Sequence, residues 1–290
     1  MRFYWVDVFA IGRYTGNPLA VFPEAAATSD ARMQQIAREI GCSETAFATA
    51  DPTGSSNCRL RIFTPQRELA FAGHPALGTA YVWQWPFPAA PREAIAMQLP
   101  AGRFRIRCES GAEGPIYWLP QASPHFGDPL PAERAAAALG LAPGDLDARF
   151  PVQVVSTGTP FILVPVGDRA ALERIQLDRA RYEALVEGAT AEAILAFCPD
   201  PRADCELSAR AFAPRWGITE DPVTGSANGC LAAYLVAHAY WDRSEIAARV
   251  AQGEAMGRPS RLQLYARTTP TGIESAVGGR VVAVARGHWL

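Results

Sequence analysis

The stretch Arg61-Ile62-Phe63-Thr64-Pro65 returns half a chain later as Arg210-Ala211-Phe212-Ala213-Pro214, and each copy runs on into a glycine-led apolar helix. The first leads to Gly73-His74 and a helix expected over Pro75 to Trp85; the second leads to Thr224-Gly225-Ser226 and a helix expected over Ala227 to Trp241. An earlier pair keeps the same order: Gly16-Asn17-Pro18-Leu19-Ala20-Val21 and Gly158-Thr159-Pro160-Phe161-Ile162-Leu163. Short matches arise by chance, but two in the same order at nearly the same separation indicate a duplicated fold. Both helices are apolar on nearly every side. A helix without a polar face has to be buried all round, so the simplest architecture is α+β: two similar halves, each a mostly antiparallel sheet wrapped around a central buried helix.

The rest of the chain fits that plan. Short strand signals recur at Arg59 to Phe63, Arg103 to Cys108, Ile116 to Leu119, Val152 to Val155, Phe161 to Val166, Arg261 to Tyr265 and Val281 to Ala285. Asp30 to Ile40 places Met33, Ile36, Ala37 and Ile40 on one helical face, with Ser29 or Asp30 as the N-cap and Gly41 as the stop. Alanine-rich Ala132 to Leu139 and Ala180 to Ala193 read as surface helices, and Pro120 to Pro131 as the crossing between halves. The expected domains are residues 1–120, with a last strand over 277–290, and residues 130–276.

Composition narrows the chemistry. The 290 residues contain no lysine, so all 27 basic side chains are arginine. Arginine stays protonated and is no amine nucleophile, which excludes Schiff-base chemistry and the lysine-dependent phosphate loops of ATPases and kinases. A net charge of -2 without an arginine block points away from nucleic acid and anionic membranes, toward a small-molecule substrate. The six cysteines have neither C-x-x-C pairing nor zinc spacing, and no apolar run reaches bilayer length. A cytoplasmic protein with reduced thiols, no metal and no membrane span is expected. The starts of the two buried helices, Gly73-His74 and Gly225-Ser226, offer unpaired N–H groups suited to a carboxylate or a developing oxyanion.

These residues carry a resemblance. Asp7-Val8-Phe9, Gly16 to Phe22, Cys42-Ser43-Glu44-Thr45-Ala46-Phe47, Phe71-Ala72-Gly73-His74-Pro75, Glu220-Asp221-Pro222-Val223-Thr224-Gly225-Ser226-Ala227-Asn228-Gly229 and Val277-Gly278-Gly279 together resemble the PhzF-like phenazine-biosynthesis proteins, which have the diaminopimelate epimerase-like fold. The resemblance covers essentially the whole chain. It implies an isomerase that moves a proton between carbons of a small carboxylated, amino-cyclohexadiene-like substrate in an inter-domain cleft, without metal or organic cofactor, as a homodimer. It makes Glu44 the proton-transferring group, with His74 and Asp221 as the other candidate catalytic residues. Gly73, His74, Asp221, Gly225 and Ser226 are the candidate substrate-binding residues. The true epimerases of this fold carry cysteines at the two helix starts, where this chain has His74 and Ser226. An amino-acid racemase or epimerase, and a catalytically silent binding protein on the same fold, remain the alternatives.

The chemistry suits a carboxylate. A base that removes a proton from carbon and returns it needs a pKa raised toward the working pH, and desolvation supplies that shift. His74 and helix-start N–H groups would meet charge developing on the substrate. Apart from the resemblance, Glu44 reads as a solvated carboxylate, Asp221 as a turn residue, Ser226 as an N-cap and His74 as a partner for a carbonyl. His125, His238 and His288 stand in no motif and read as structural or exposed; Cys42 and Cys230 read as small packing residues.

Overall fold

The computed structural model describes residues 1–84, 92–200, 202 and 204–290. It divides into two compact units, Met1–Pro120 with Gly278–Leu290, and Gln121–Val277. The first holds β1 (Arg2–Val8), β2 (Asn17–Phe22), α1 (Asp30–Ile40), β3 (Thr45–Ala50), β4 (Cys58–Phe63), β5 (Glu68–Leu69), α2 (Gly73–Trp83), β6 (Ala94–Leu99), β7 (Gly102–Glu109) and β8 (Ile116–Pro120). The second holds β9 (His125–Pro129), α3 (Ala132–Ala138), β10 (Gln153–Ser156), β11 (Pro160–Pro165), α4 (Arg169–Arg174), α5 (Arg179–Val186), β12 (Ala193–Pro199), β13 (Leu207–Ala213), β14 (Ile218–Asp221), α6 (Gly225–Ala237), β15 (Glu245–Gln252) and β16 (Ser260–Thr269). The last strand, β17 (Gly272–His288), begins in the second unit and ends in the first.

Strand pairing repeats from unit to unit. β1–β2 and β10–β11 are antiparallel, β2–β3 and β11–β12 parallel, and β3–β4 and β12–β13 antiparallel. The series continues with β4–β6 and β13–β15 parallel, and β6–β7 and β15–β16 antiparallel. The sheets are therefore α+β and mostly antiparallel, with parallel steps wherever a helix intervenes between partners, as a parallel pair requires a crossover. β17 pairs antiparallel with β1 in the first unit, and β9 pairs antiparallel with β10 in the second.

The two apolar helices are buried as their composition requires. Every residue from His74 to Val82 of α2 is buried, and so is every residue from Ala227 to Val236 of α6. Both start earlier than the apolar run suggests: α2 begins at Gly73, with Pro75 inside its first turn, and α6 begins at Gly225. Proline is tolerated there because first-turn N–H groups have no intrahelical acceptor to lose. α2 ends at Trp83; Trp85 lies outside the described residues. On the opposite face of the first unit's sheet, Met33, Ile36 and Ala37 of α1 pack with Ala20, Phe22, Phe47 and Phe63. α1 is capped by Ser29, whose side chain accepts from the Arg32 N–H, and stops at Gly41 in the left-handed region at φ 70°. In the second unit α3, α4 and α5 pack on the outer face with Ile162, Val164, Ile194 and Phe212.

The repeated arginine has the same role in each unit. Arg61 on β4 makes a bidentate pair with Glu68 of β5 at 2.7 and 2.8 Å, and its guanidinium lies 5.1 Å from the Phe63 ring centre. Arg210 on β13 pairs with Glu220 of β14 at 2.9 and 2.8 Å and lies 5.1 Å from the Phe212 ring. The R-x-F motif is thus a clamp that fastens the strand leading to each central helix, using the planar fork that lysine lacks.

Three expectations differ from the structure. The helix expected over Ala180 to Ala193 ends at Val186; Gly188 is left-handed at φ 73°, and the chain re-enters the sheet as β12. The stretch Pro120 to Pro131 contains β9, because its backbone pairs with β10 despite its turn-rich composition. Alanine-rich α3 and α5 are not merely superficial: Ala135, Ala136, Ala138, Tyr182, Leu185 and Val186 belong to the outer core of the second unit. No helix among the described residues is long and apolar enough to cross a membrane.

Gly78 of α2 lies where a Cβ would stand 2.5 Å from Leu19 Cδ2, 3.1 Å from Val8 Cγ2 and 3.3 Å from Val6 Cγ2. Gly78→Ala is expected to lose about 1–3 kcal/mol by overpacking between helix and sheet, measured by denaturant unfolding with an unchanged m-value.

Candidate active site

Glu44 stands one residue before β3, just past the end of α1. Gly41 turns the chain out of the helix, and Ser43 Oγ lies 3.4 Å from Oδ1 of buried Asn17 at the start of β2. From Thr45 onward the backbone is held on both sides, parallel to β2 through Ala20 and antiparallel to β4 through Phe63. The Glu44 carboxylate is thus presented from a fixed point on the sheet rather than from a free loop. Its side chain is 15% exposed and that of His74 8%, with Glu44 Oε2 3.5 Å from His74 Nε2. Burial raises the Glu44 carboxyl above the usual value of 4.5 and outweighs the Ser43 hydrogen bond, which acts the other way.

His74 is the second residue of α2, after Gly73. The N-cap is Ala72, which has no side-chain acceptor, and the nearest neighbour a Cβ on Gly73 would meet is Leu119 Cδ2 at 3.4 Å. The start of α6 also has no side-chain cap, for a different reason. Its N-cap Thr224 has a hydroxyl, but that hydroxyl donates to Asp221 Oδ2 at 2.6 Å. By contrast α1, α4 and α5 are capped by Ser29, Asp168 and Asp178, while α3, which follows Pro131, also has no side-chain cap. Leaving the first N–H groups of a helix without a side-chain acceptor is a cost normally avoided, and the same groups suit an anion.

Asp221 ends β14, and Ser226 is the second residue of α6, half-buried, not its cap. The structure thus gathers the sequence-derived candidates into two groups. Glu44, Gly73 and His74 lie in the first unit, with Glu44 and His74 side by side; Asp221, Gly225 and Ser226 lie in the second unit around one turn and helix start. The cysteines do not occupy these positions. Cys230 is fully buried inside α6, with Sγ 3.6 Å from the Thr157 hydroxyl and from the Thr159 carbonyl, and burial pushes its thiol up to about 11. It is protonated and inert at neutral pH. His238 Nε2 meets Gln153 Oε1 at 2.8 Å, a structural pairing within the second unit.

Residues that carry no motif also belong to this arrangement. Gln252, at the end of β15, is 1% exposed and bonds to the backbone on either side of the Asp221–Thr224 turn. The signal that could have found it is its place in the strand: Ile246, Ala248 and Val250 are buried at every second position, and Gln252 is the next of that series, a polar residue on the inward face.

The phenazine biosynthesis-like family model, PhzC-PhzF, matches residues 6–287. The chain belongs to this family. It is 33% identical to the trans-2,3-dihydro-3-hydroxyanthranilate isomerase of Pseudomonas aeruginosa, over 99% of this chain and 98% of that protein. A crystal structure of a Bacillus anthracis phenazine biosynthesis protein of the PhzF family superposes with a TM-score of 0.92 at 25% identity, covering 100% of this chain and 99% of that one. A probable proline racemase from Agrobacterium radiobacter shares the fold, with a TM-score of 0.63 at 12% identity over 100% of this chain and 92% of that one. This member of the PhzC-PhzF family is an enzyme of the isomerase class.

The raised carboxyl of Glu44 has a consequence for stability. A group whose folded value lies above its unfolded value favours the protonated folded state, so its contribution is fully present below the unfolded value of 4.5 and is lost as pH rises through the folded one. Glu44→Gln is therefore expected to melt above the wild-type protein near pH 7.5, with the difference closing below about pH 4, as followed by calorimetry across that range.

Proposed function

We propose that this protein isomerises a small carboxylated ring by moving a proton between carbons, with Glu44 taking and returning the proton. The observation that carries this reading is the desolvated Glu44 carboxyl, fixed at the head of β3 and 3.5 Å from His74. A carboxyl raised above its usual range is better placed to deliver a proton as well as to accept one. His74 polarises or hydrogen-bonds the substrate beside it, and the N–H groups at the start of α2 counter charge that builds as the C–H bond breaks. Asp221 and Ser226 are assigned to substrate binding on the family resemblance, together with the main-chain groups of Gly73 and Gly225. In this reading a small acid of the class named for the Pseudomonas aeruginosa relative is the substrate, and the protein works as a cytoplasmic homodimer.

The test uses trans-2,3-dihydro-3-hydroxyanthranilate in deuterated water. Wild-type protein is expected to isomerise it and to incorporate solvent deuterium at carbon. Glu44→Gln is expected to lower the rate by about a hundredfold to ten-thousandfold while the dissociation constant, measured by calorimetry, changes little. Undiminished exchange in that variant removes Glu44 from the mechanism. The wild-type kcat/KM is expected to rise with pH through an ionisation above 4.5, the usual glutamate value, since the base must be ionised to take the proton.

A further inference from the structure

We infer that Gln252 is a positioning residue for the reaction, acting by holding the Asp221–Thr224 turn and so aiming the Asp221 carboxylate; this rests on the assignment of Asp221 to substrate binding. The carboxamide is surrounded by that turn. Its Nε2 donates to the Asp221 carbonyl at 3.0 Å and lies 3.4 Å from Thr224 Oγ1. Its Oε1 accepts from the Thr224 N–H at 3.4 Å and from Asn228 Nδ2 at 2.9 Å. The main-chain partners fix which way the amide points, since a carbonyl only accepts and an N–H only donates. Asn228 Nδ2 in turn donates to the Thr224 carbonyl at 3.0 Å, which ties the same turn to the second turn of α6.

Neighbours close the turn from outside. Gly253 is left-handed at φ 78°, and a Cβ there would stand 2.4 Å from the Pro222 carbonyl oxygen. The Ser260 hydroxyl lies 3.5 Å from the same oxygen. With Asp221 and Thr224 pinned by Gln252, the Thr224 hydroxyl is placed 2.6 Å from Asp221 Oδ2, where it orients the carboxylate instead of capping α6.

The fold itself does not demand this residue. A fully buried carboxamide is costly unless all its bonds are made. The equivalent strand of the first unit, β6, ends on Leu99, 2% exposed, in the same parallel-then-antiparallel setting. An apolar side chain serves the sheet there. A glutamine stands at this position in the unit whose central helix is preceded by the Asp-Pro turn, so its role is the turn.

The test is Gln252→Met, which keeps the volume and removes both polar ends, with Gln252→Glu as the second variant, keeping the acceptor and losing the donor to Asp221. With trans-2,3-dihydro-3-hydroxyanthranilate as probe, kcat/KM is expected to fall about tenfold to a hundredfold in either variant, the scale set by small misplacements of a binding group. In an Asp221→Asn background the same change is expected to alter kcat/KM less than about twofold, because a residue that works through Asp221 has nothing left to aim. An unchanged kcat/KM in the single variants, or an equal fall in both backgrounds, overturns the inference. If wild-type protein does not turn the probe over, the proposed function fails and hydrogen exchange decides on Gln252 alone. Faster exchange at residues 221–228, with β1 and β2 unaffected, then keeps Gln252 as the residue that holds the Asp221–Thr224 turn and overturns its role in this reaction; unaltered exchange there overturns both.

Discussion

The constraint behind this molecule is that α2 and α6 have no face that tolerates water. A sheet has to enclose each of them, and enclosing a helix with strands that alternate around it dictates the repeated pairing, with parallel steps at the crossovers and antiparallel ribbons between. The outer helices follow from the same requirement. β2 shows it in one strand: Leu19 meets α2 across Gly78, while Ala20 and Phe22 pack with α1. Both faces of the sheet are thereby covered, and in each unit the beginning of the central helix has no side-chain cap. The cost of an uncapped start is offset elsewhere by burial, and it leaves N–H groups in place for an anion.

The two units place their carboxylates under opposite conditions. Glu44 is desolvated, and burial outweighs the Ser43 hydrogen bond and raises its carboxyl. Asp221 sits within a built turn and receives the Thr224 hydroxyl at 2.6 Å. The two carboxyls thus differ in setting: Glu44 is raised by burial, and Asp221 is oriented by a donated hydroxyl within its turn. Arginine serves as the only side-chain cation of permanent charge, and its forks at Arg61 and Arg210 fasten the strands that precede both helix starts.

Much of the scaffold was legible because its signals are local. Two all-apolar helices, a capped amphipathic helix ending at Gly41, and the repeated R-x-F-x-P string are each visible within a few residues, and each carries a specific physical role. Strands such as β12 were not legible, because six of its seven residues are buried and no polar alternation separates it from a buried helix segment. The parallel pairings were also hidden, since register between distant strands depends on packing and not on any local pattern. At the candidate site, Glu44 carries no periodic or spacing signal at all and emerged only through the resemblance of Ser43-Glu44-Thr45 to a family string. Its desolvation is a property of the three-dimensional surroundings.

Gln252 marks the limit more sharply. Its strand is held between β13 and β16, and a glutamine at its end looks solvent-facing by residue type alone, although the buried series Ile246, Ala248 and Val250 runs on to it. The residue becomes meaningful only when the duplication is used as an internal control: the two units share pairing, clamps and central helices, so positions where they differ report what folding does not require. Leu99 against Gln252 is such a position, and His74 against Ser226 is another. A duplicated fold separates the demands of the scaffold from those of chemistry, because a polar group that one copy buries at a cost and the other copy replaces with leucine is retained for something other than the sheet.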